Sequence, residues 1–440
     1  MNLSLKLLAP LFISTLFIGC GDEINKKTYA TKVYPSYPKV SGQFIDSGVD
    51  GLEYTIDLNA TTLTPDAGVN ITSSGGYFDY FYGEVLLFKI GNLEIGSTPA
   101  LSTITPKDIV SFKNLDLNTS IYAPEVNNRI RLLMSLDSDN NPANGISIDK
   151  QTRQDAKKWN TPNYNLTESA FTNELNNATN NELTKIYTKK EAEIHFEQSL
   201  RCVYSGAYRG SWILPSGQKT GFVGVMIQAD GNIVALGDGQ DINGDGNFSD
   251  VLYAAGKHNM DNGTYSFNET YQFDADKGRI VSSNLAIEGD GSSSGYNEVE
   301  GTFVQDGQAG EYSAYRVGEG INTSYRYTGY GYQNPYVFTE SDDDPILGLF
   351  TLDMETDGTA TGLIHDARTN LEPSLVGTID FATGRVELSL ESGQGHTVSG
   401  TIDFNTNDLY LTWFDGTHKK LGYLKGIGCQ LQIPQTTTTP

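Results

Sequence analysis

From residue 40 to about 112 the chain alternates apolar and polar positions in short runs. These are Gly51-Leu52-Glu53-Tyr54-Thr55-Ile56, Gly76-Tyr77-Phe78-Asp79-Tyr80-Phe81 and Val85-Leu86-Leu87-Phe88-Lys89-Ile90. A period of two puts every second side chain on one face, so the runs read as half-buried strands of a small antiparallel sandwich, punctuated by Gly, Asp and Asn. Then the period changes. In residues 126–136, Val126, Ile130, Leu133 and Met134 share one side of a helix. Residues 150–201 are polar and helical, with Thr188 and Glu191 spaced as a capping box and Ala192, Phe196 and Leu200 on the buried stripe. His195 lies on that stripe and reads as a hydrogen-bonded core residue rather than a ligand.

After Cys202 the period returns to two. Phe222-Val223-Gly224-Val225-Met226-Ile227, the turn Asp230-Gly231 and Ile233-Val234-Ala235-Leu236 predict a hairpin. The plan recurs 127 residues later in Leu349-Phe350-Thr351-Leu352-Asp353-Met354, Asp357-Gly358 and Thr361-Gly362-Leu363-Ile364. Gly377-Thr378-Ile379-Asp380-Phe381 and Gly400-Thr401-Ile402-Asp403-Phe404 repeat with a spacing of 23, and Gly301-Thr302-Phe303 is a weaker copy. The expected fold is mainly β: an N-terminal β-sandwich with appended helices (40–201), then a C-terminal antiparallel β-barrel or sandwich (202–430). Two half-repeats, 203–307 and 311–430, are consistent with the recurrences, and residues 431–440 read as a disordered tail.

The N-terminus indicates a compartment. Residues 1–19 carry one charge, Lys6, and then apolar stretches, as a secretory signal does. The signal runs into Gly19-Cys20-Gly21, which resembles the bacterial lipobox, with Phe17 where that pattern prefers Leu. The resemblance implies that Cys20 is acylated, palmitate included, and becomes the mature N-terminus. Several acyl chains anchor firmly where one binds reversibly. Gly21-Asp22 differs from the enteric retention signal, which favours the outer membrane. Residues 20–39, with Pro35 and Pro38, read as the lipidated tether.

A second resemblance covers residues 40–201. The succession Val49-Asp50-Gly51-Leu52-Glu53-Tyr54, Gly76-Tyr77-Phe78-Asp79-Tyr80, Gly83-Glu84-Val85-Leu86-Leu87-Phe88-Lys89-Ile90-Gly91, Leu93-Glu94-Ile95-Gly96 and Ile104-Thr105-Pro106 resembles a module at the start of many proteobacterial envelope lipoproteins. That module is similar to transthyretin-like or carboxypeptidase-regulatory β-sandwiches. The resemblance implies a surface or periplasmic β module and brings no activity with it.

Charge narrows the partners. With 54 carboxylates against 30 Lys plus Arg the net charge is −24, which argues against nucleic acid as a partner. Of three cysteines, Cys202 and Cys429 remain after lipidation of Cys20, and an oxidising compartment favours their closing into a disulfide; two buried free thiols are the alternative. The strongest chemical signal is oxygen-ligand spacing. Asp241, Asn243, Asp245 and Asn247, with Gly246 at the bend and Asp250 further on, form the first half of a calcium loop, although position twelve is Leu252. A polar turn needing no metal is the alternative, but crowded carboxylates repel each other without a cation. Asp137, Asp139 and Asn141 repeat the spacing after a helix, with Pro142 in place of the bend glycine and Asp149 as a late carboxylate; a helix end simply stopped by Asn and Pro is the alternative. These positions match the Asp-x-Asp-x-Asn-Pro-x-Asn-Gly-Ile stretch of the envelope lipoproteins, where calcium would pin helix to loop.

Enzyme motifs are weak. Gly291-Ser292-Ser293-Ser294-Gly295 fits G-x-S-x-G, but strand-like residues follow it where a nucleophile elbow needs a helix. The five histidines are scattered, without zinc spacing. Tyr312, Tyr315, Tyr325, Tyr327, Tyr330, Tyr332 and Tyr336, interleaved with Gly, form a candidate contact face, though tyrosine is also an ordinary strand residue. The sequence therefore favours a lipid-anchored outer-membrane protein of the cell envelope, calcium-stabilised and non-catalytic, that binds a glycan or protein or serves adhesion. The alternatives are an envelope enzyme acting on glycans and a surface lipoprotein that captures a partner protein.

Overall fold

The structure, a computed structural model, describes residues 39–430 apart from 57–68, 74, 117–118, 214–219, 241–249, 275–278, 282–287, 295, 306–307, 318–324, 333–345, 356, 367–371 and 392–394. Alternation in the first region yields β1 (Val40–Phe44), β2 (Val49–Asp50), β3 (Glu53–Ile56), β4 (Asn70–Ile71), β5 (Tyr77–Tyr80), β6 (Val85–Ile90), β7 (Leu93–Pro99) and β8 (Thr103–Ile104). All but β2 pair into two small sheets, in the orders β5-β1-β8 and β4-β3-β6-β7. Between the sheets Phe44, Tyr54, Phe78 and Phe88 pack ring to ring at centroid distances of 4.9 to 6.2 Å.

Helices follow: α1 (Pro106–Asn114), α2 (Pro124–Ser135), α3 (Lys150–Asp155), α4 (Glu168–Ala178) and α5 (Lys189–Tyr204), with β9 (Ile146–Ser147) pairing in parallel with β2. The expected alternation to about residue 112 stops earlier, because Pro106 opens α1 and Thr105 with Asp108 forms a capping box there. The anticipated box at α5 is present: the Thr188 Oγ1 accepts from the Glu191 amide, and the Thr188 amide donates to the Glu191 carboxylate at 2.8 Å.

From Gly206 the chain is a succession of hairpins: β10 (Gly206–Ile213), β11 (Thr220–Ile227), β12 (Asn232–Gln240), β13 (Asp250–His258), β14 (Thr264–Asp274), β15 (Arg279–Val281), β16 (Glu288–Ser294), β17 (Glu298–Gln305) and β18 (Gln308–Arg316). β18 returns to pair with β10, while β14 pairs with both β13 and β16, so eight strands close a ring and β15 is added outside it. A second closed barrel comprises β19 (Tyr325–Tyr332), β20 (Ile346–Met354), β21 (Thr359–Asp366), β22 (Ser374–Asp380), β23 (Arg385–Leu390), β24 (Thr397–Asp403), β25 (Asp408–Phe414) and β26 (Lys420–Gln430).

The 127-residue recurrence is structural. In the β11–β12 turn the Gly231 amide donates to Gln228 O and the Gln228 amide to Asn232 O. In the β20–β21 turn Gly358, Glu355 and Thr359 make the same two bonds. Both glycines are left-handed, with φ of 80° and 89°, where a side chain would be strained. β22 and β24, the strands of the 23-residue repeat, bury the same positions, and Phe381 stacks on Phe404 at 6.1 Å. The ring boundary differs from the expected division at 307/311, because β18 belongs to the first ring.

One core runs from the N-terminal sheets through α5 into the first ring, and a separate core fills the second. The joint between α5 and β10 is built around Arg316. Its guanidinium donates to Ser205 O (2.5 Å), Val203 O (2.6 Å), Tyr296 O (2.7 Å) and Tyr208 Oη (2.7 Å). A cation at a helix C-terminus satisfies carbonyls that have no intrahelical partner. Gly206 is required beside it, since a Cβ there would lie 2.2 Å from Nη1. The β13–β14 turn docks on the helices: Asp261 accepts from the Ile121 amide (2.7 Å) and Ser120 Oγ (3.1 Å), and Lys107 donates to Asp261 O.

Candidate functional site

α5 carries His195, Ser199 and Cys202 on its buried side. Opposite them the chain leaves β1 through Asp46 and Ser47. His195 Nε2 lies 3.2 Å from Asp46 Oδ1, and both residues are buried. Burial alone would lower the His195 pKa, but the adjacent Asp46 carboxylate outweighs it and the value is raised. Thus the sequence-based reading of His195 as a core residue holds, with an ion pair as its partner. Ser47 Oγ lies 3.1 Å from Ser199 Oγ, which ties the turn to the helix.

Above this pair lies a cavity of about 380 Å³. One wall is Ser47, Ala143, His195, Gln198 and Arg201; the other is Thr406, Asn407, Ile427, Gly428 and Cys429 of the second barrel, with Ala229 of the first. Two wall residues that are not glycine, Ser47 (φ 64°) and Asn407 (φ 60°), are left-handed. Such backbone costs about 1 kcal/mol or more and persists only where surroundings impose it.

Cys202 and Cys429 meet beside the cavity. The expected disulfide is not formed: both thiols are free and buried. Packing of α5 against β26 sets the two thiols beside each other, with Ser205 Oγ 3.7 Å from Cys429 Sγ. Burial pushes the Cys202 thiol well up.

The Asp137 loop follows α2. Asp137 accepts from the amides of Ser147 (3.0 Å) and Asn141 (2.8 Å), and Asp139 accepts from the Asn141 amide (2.8 Å) and Asn144 Nδ2 (2.9 Å). Burial raises the Asp137 carboxyl to about 6, the neighbouring Asp139 adding to this against the Ser147 amide. Asp137 and Asp139 therefore converge as expected. Asp149 does not join them: it caps α3, accepting from the Thr152 amide at 2.6 Å. Among the described residues no three His, Cys, Asp or Glu side chains come together as a metal cluster. Asp241, Asn243, Asp245 and Asn247 lie outside the described residues, as does Cys20; Asp250 opens β13 opposite Gln240.

The tyrosines do not share one face. Tyr312 is buried in the first barrel, donating to Tyr265 Oη at 2.8 Å, whereas Tyr315, an odd number of residues away, is 60% exposed. Tyr327 is fully buried in the second barrel, on the same strand as Tyr325, Tyr330 and Tyr332, and Tyr336 lies outside the described residues. Alternation and the break between two rings divide the cluster. Gly291–Ser294 lies in strand β16, paired with β17, so the G-x-S-x-G match is no elbow.

A smaller cleft of about 230 Å³ at the N-terminal sheets is lined by Lys39, Tyr54, Asp79, Tyr80, Phe81 and Glu84, among others. No protein-family model and no curated protein matches the chain. Among solved structures it is similar to a protein of unknown function of the DUF3598 family from Nostoc punctiforme. The match has 9% identity and a TM-score of 0.16, over 52% of this chain and 98% of that one. At that score the likeness carries no argument.

Sequence reasoning missed the cavity because its walls come from segments far apart in the chain. Two signals were present: Asp46-Ser47-Gly48 and Asn405-Thr406-Asn407-Asp408 are both turn-rich strings.

Proposed function

We propose that the protein is a lipid-anchored envelope protein, held in the outer membrane through acylated Cys20, that binds a glycan or protein ligand without catalysis. The single observation that carries this reading is the filled second barrel. Phe350, Leu352, Met354, Leu388, Val398 and Leu411 occupy its interior, so its lumen is a packed core and its outer face and loops are what a partner can meet. Calcium at the Asp137 loop is part of the proposal: a carboxyl raised to about 6 beside a second carboxylate is relieved by a divalent cation. The resemblance of residues 40–201 to envelope lipoprotein modules supports the same placement.

The test is metabolic labelling with palmitate of cells making wild type or Cys20→Ala, followed by fractionation and binding of intact cells to glycan and protein arrays with calcium or EDTA. Labelling of wild type alone, outer-membrane recovery and calcium-dependent adhesion are expected. Absence of label in wild type would remove the anchor; turnover of an arrayed glycan would remove the non-catalytic reading. The aromatic cleft holding Asp79 and Glu84 favours a second reading, an enzyme acting on glycans. Loss of such turnover in Asp79→Asn and Glu84→Gln would establish it.

A further inference from the structure

We propose that the cavity between α5 and the second barrel is a binding site for a small oxyanion, a carboxylate or a phosphate ester. The chain carries 54 acidic residues and a net charge of −24, yet none of the described residues lining this cavity is acidic, and Arg201 stands at its rim. Among the described residues no hydrogen bond or ion pair is made by the Arg201 side chain, so its planar fork of donors is available. That fork matches the paired oxygens of carboxylates and phosphates.

The walls are built to receive an anion. Gln198, one helical turn before Arg201, and Thr406 line the same space, and their amide and hydroxyl groups are of the kind that add neutral donors. Asp46, whose charge would repel an anion, is wholly buried behind His195 and paired with it. The left-handed backbones of Ser47 and Asn407 sit on opposite walls, and strain of this kind gathers at ligand sites. A volume of about 380 Å³ lies at the lower end of the range for small-molecule sites, and the position between separately cored units is where such sites occur.

The proposal is independent of the calcium and anchoring readings, and its test keeps them apart by working throughout in buffer stripped of divalent cations on a chelating resin, with no soluble carboxylate chelator present. Melting of the full mature protein is followed while acetate, succinate, inorganic phosphate or glycerol phosphate is titrated against sodium chloride of equal ionic strength. Expected is a saturable rise in melting temperature with at least one oxyanion. Whether carboxylates or phosphates saturate at lower concentration identifies the source. Arg201→Gln, an exposed position, should fold as wild type and weaken the apparent affinity at least tenfold. No saturable rise with any of the four, or affinities within twofold in Arg201→Gln, would overturn the proposal.

Discussion

Replacing Arg316 by Met tests the joint between the helices and the first barrel. The guanidinium serves the last carbonyls of α5, at Val203 and Ser205, together with Tyr296 O and Tyr208 Oη. Methionine fills similar space but donates nothing, leaving several oxygens unsatisfied. A hydrogen bond to a charged group contributes about 1.5–3 kcal/mol, but bonds from one group are not additive, and removing one partner of a buried charged network costs about 3–5 kcal/mol. Because Arg316 keeps some contact with solvent, the lower figure, about 3 kcal/mol, is the expected loss. With a urea slope of about 3 kcal/mol/M, the top of the usual range for small proteins, the midpoint should fall by about 1 M. Urea unfolding followed by tryptophan fluorescence and far-UV circular dichroism measures this. A loss below about 0.5 kcal/mol would show that water serves these carbonyls equally well and that Arg316 is not the joint.

Gly206→Ala should destabilise wild type, since its Cβ would meet the Arg316 guanidinium, but cost less in Arg316→Met; equal costs in a double-mutant cycle would refute the contact. For His195 the folded pKa is raised, so its pairing with Asp46 stabilises fully below the ordinary value of 6.5 and is lost as pH rises through the folded value. His195→Gln should flatten that part of the stability profile, and an unchanged slope in urea titrations would count against the pair. Asp137 has a raised pKa of about 6, so stability falls as pH rises from its ordinary 3.8 through 6, and calcium should restore it above that range. A melting temperature at pH 7.5 that is identical in calcium and EDTA would remove the metal. Phe350→Ala, fully buried in the second barrel, should cost about 3–5 kcal/mol, read as a lower midpoint for that barrel.

Local structure was legible wherever one signal sufficed. Alternation with Asp-Gly turns predicted the β11–β12 and β20–β21 hairpins, and the Thr188–Glu191 spacing predicted the start of α5. A barrel was legible as one of two options beside a sandwich, but which strands close each ring was not, because pairing of β10 with β18 depends on residues about a hundred positions apart, as in Tyr208 opposite Arg316. The tyrosine cluster failed because density within 25 residues was weighed without the odd spacing that buries Tyr312 and exposes Tyr315. At the Asp137 loop, spacing did find the converging carboxylates, but Asp149 was claimed by the nearer α3 amide.

Closure of the two rings has a kinetic consequence. A sheet with free borders can fray inward from its outermost strand, whereas a ring offers no such starting point and must rupture a ladder bonded on both sides. Unfolding should therefore be slow and abrupt, and folding slow as well, since each ring waits for its first and last strands to find each other. Among the described residues of the N-terminal sheets, β4, β7 and β8 are edge strands, and β5 is covered on its outer side by no more than the single Ser73–Tyr77 bridge. Proteases and misdirected strand pairing should accordingly attack that part of the molecule first.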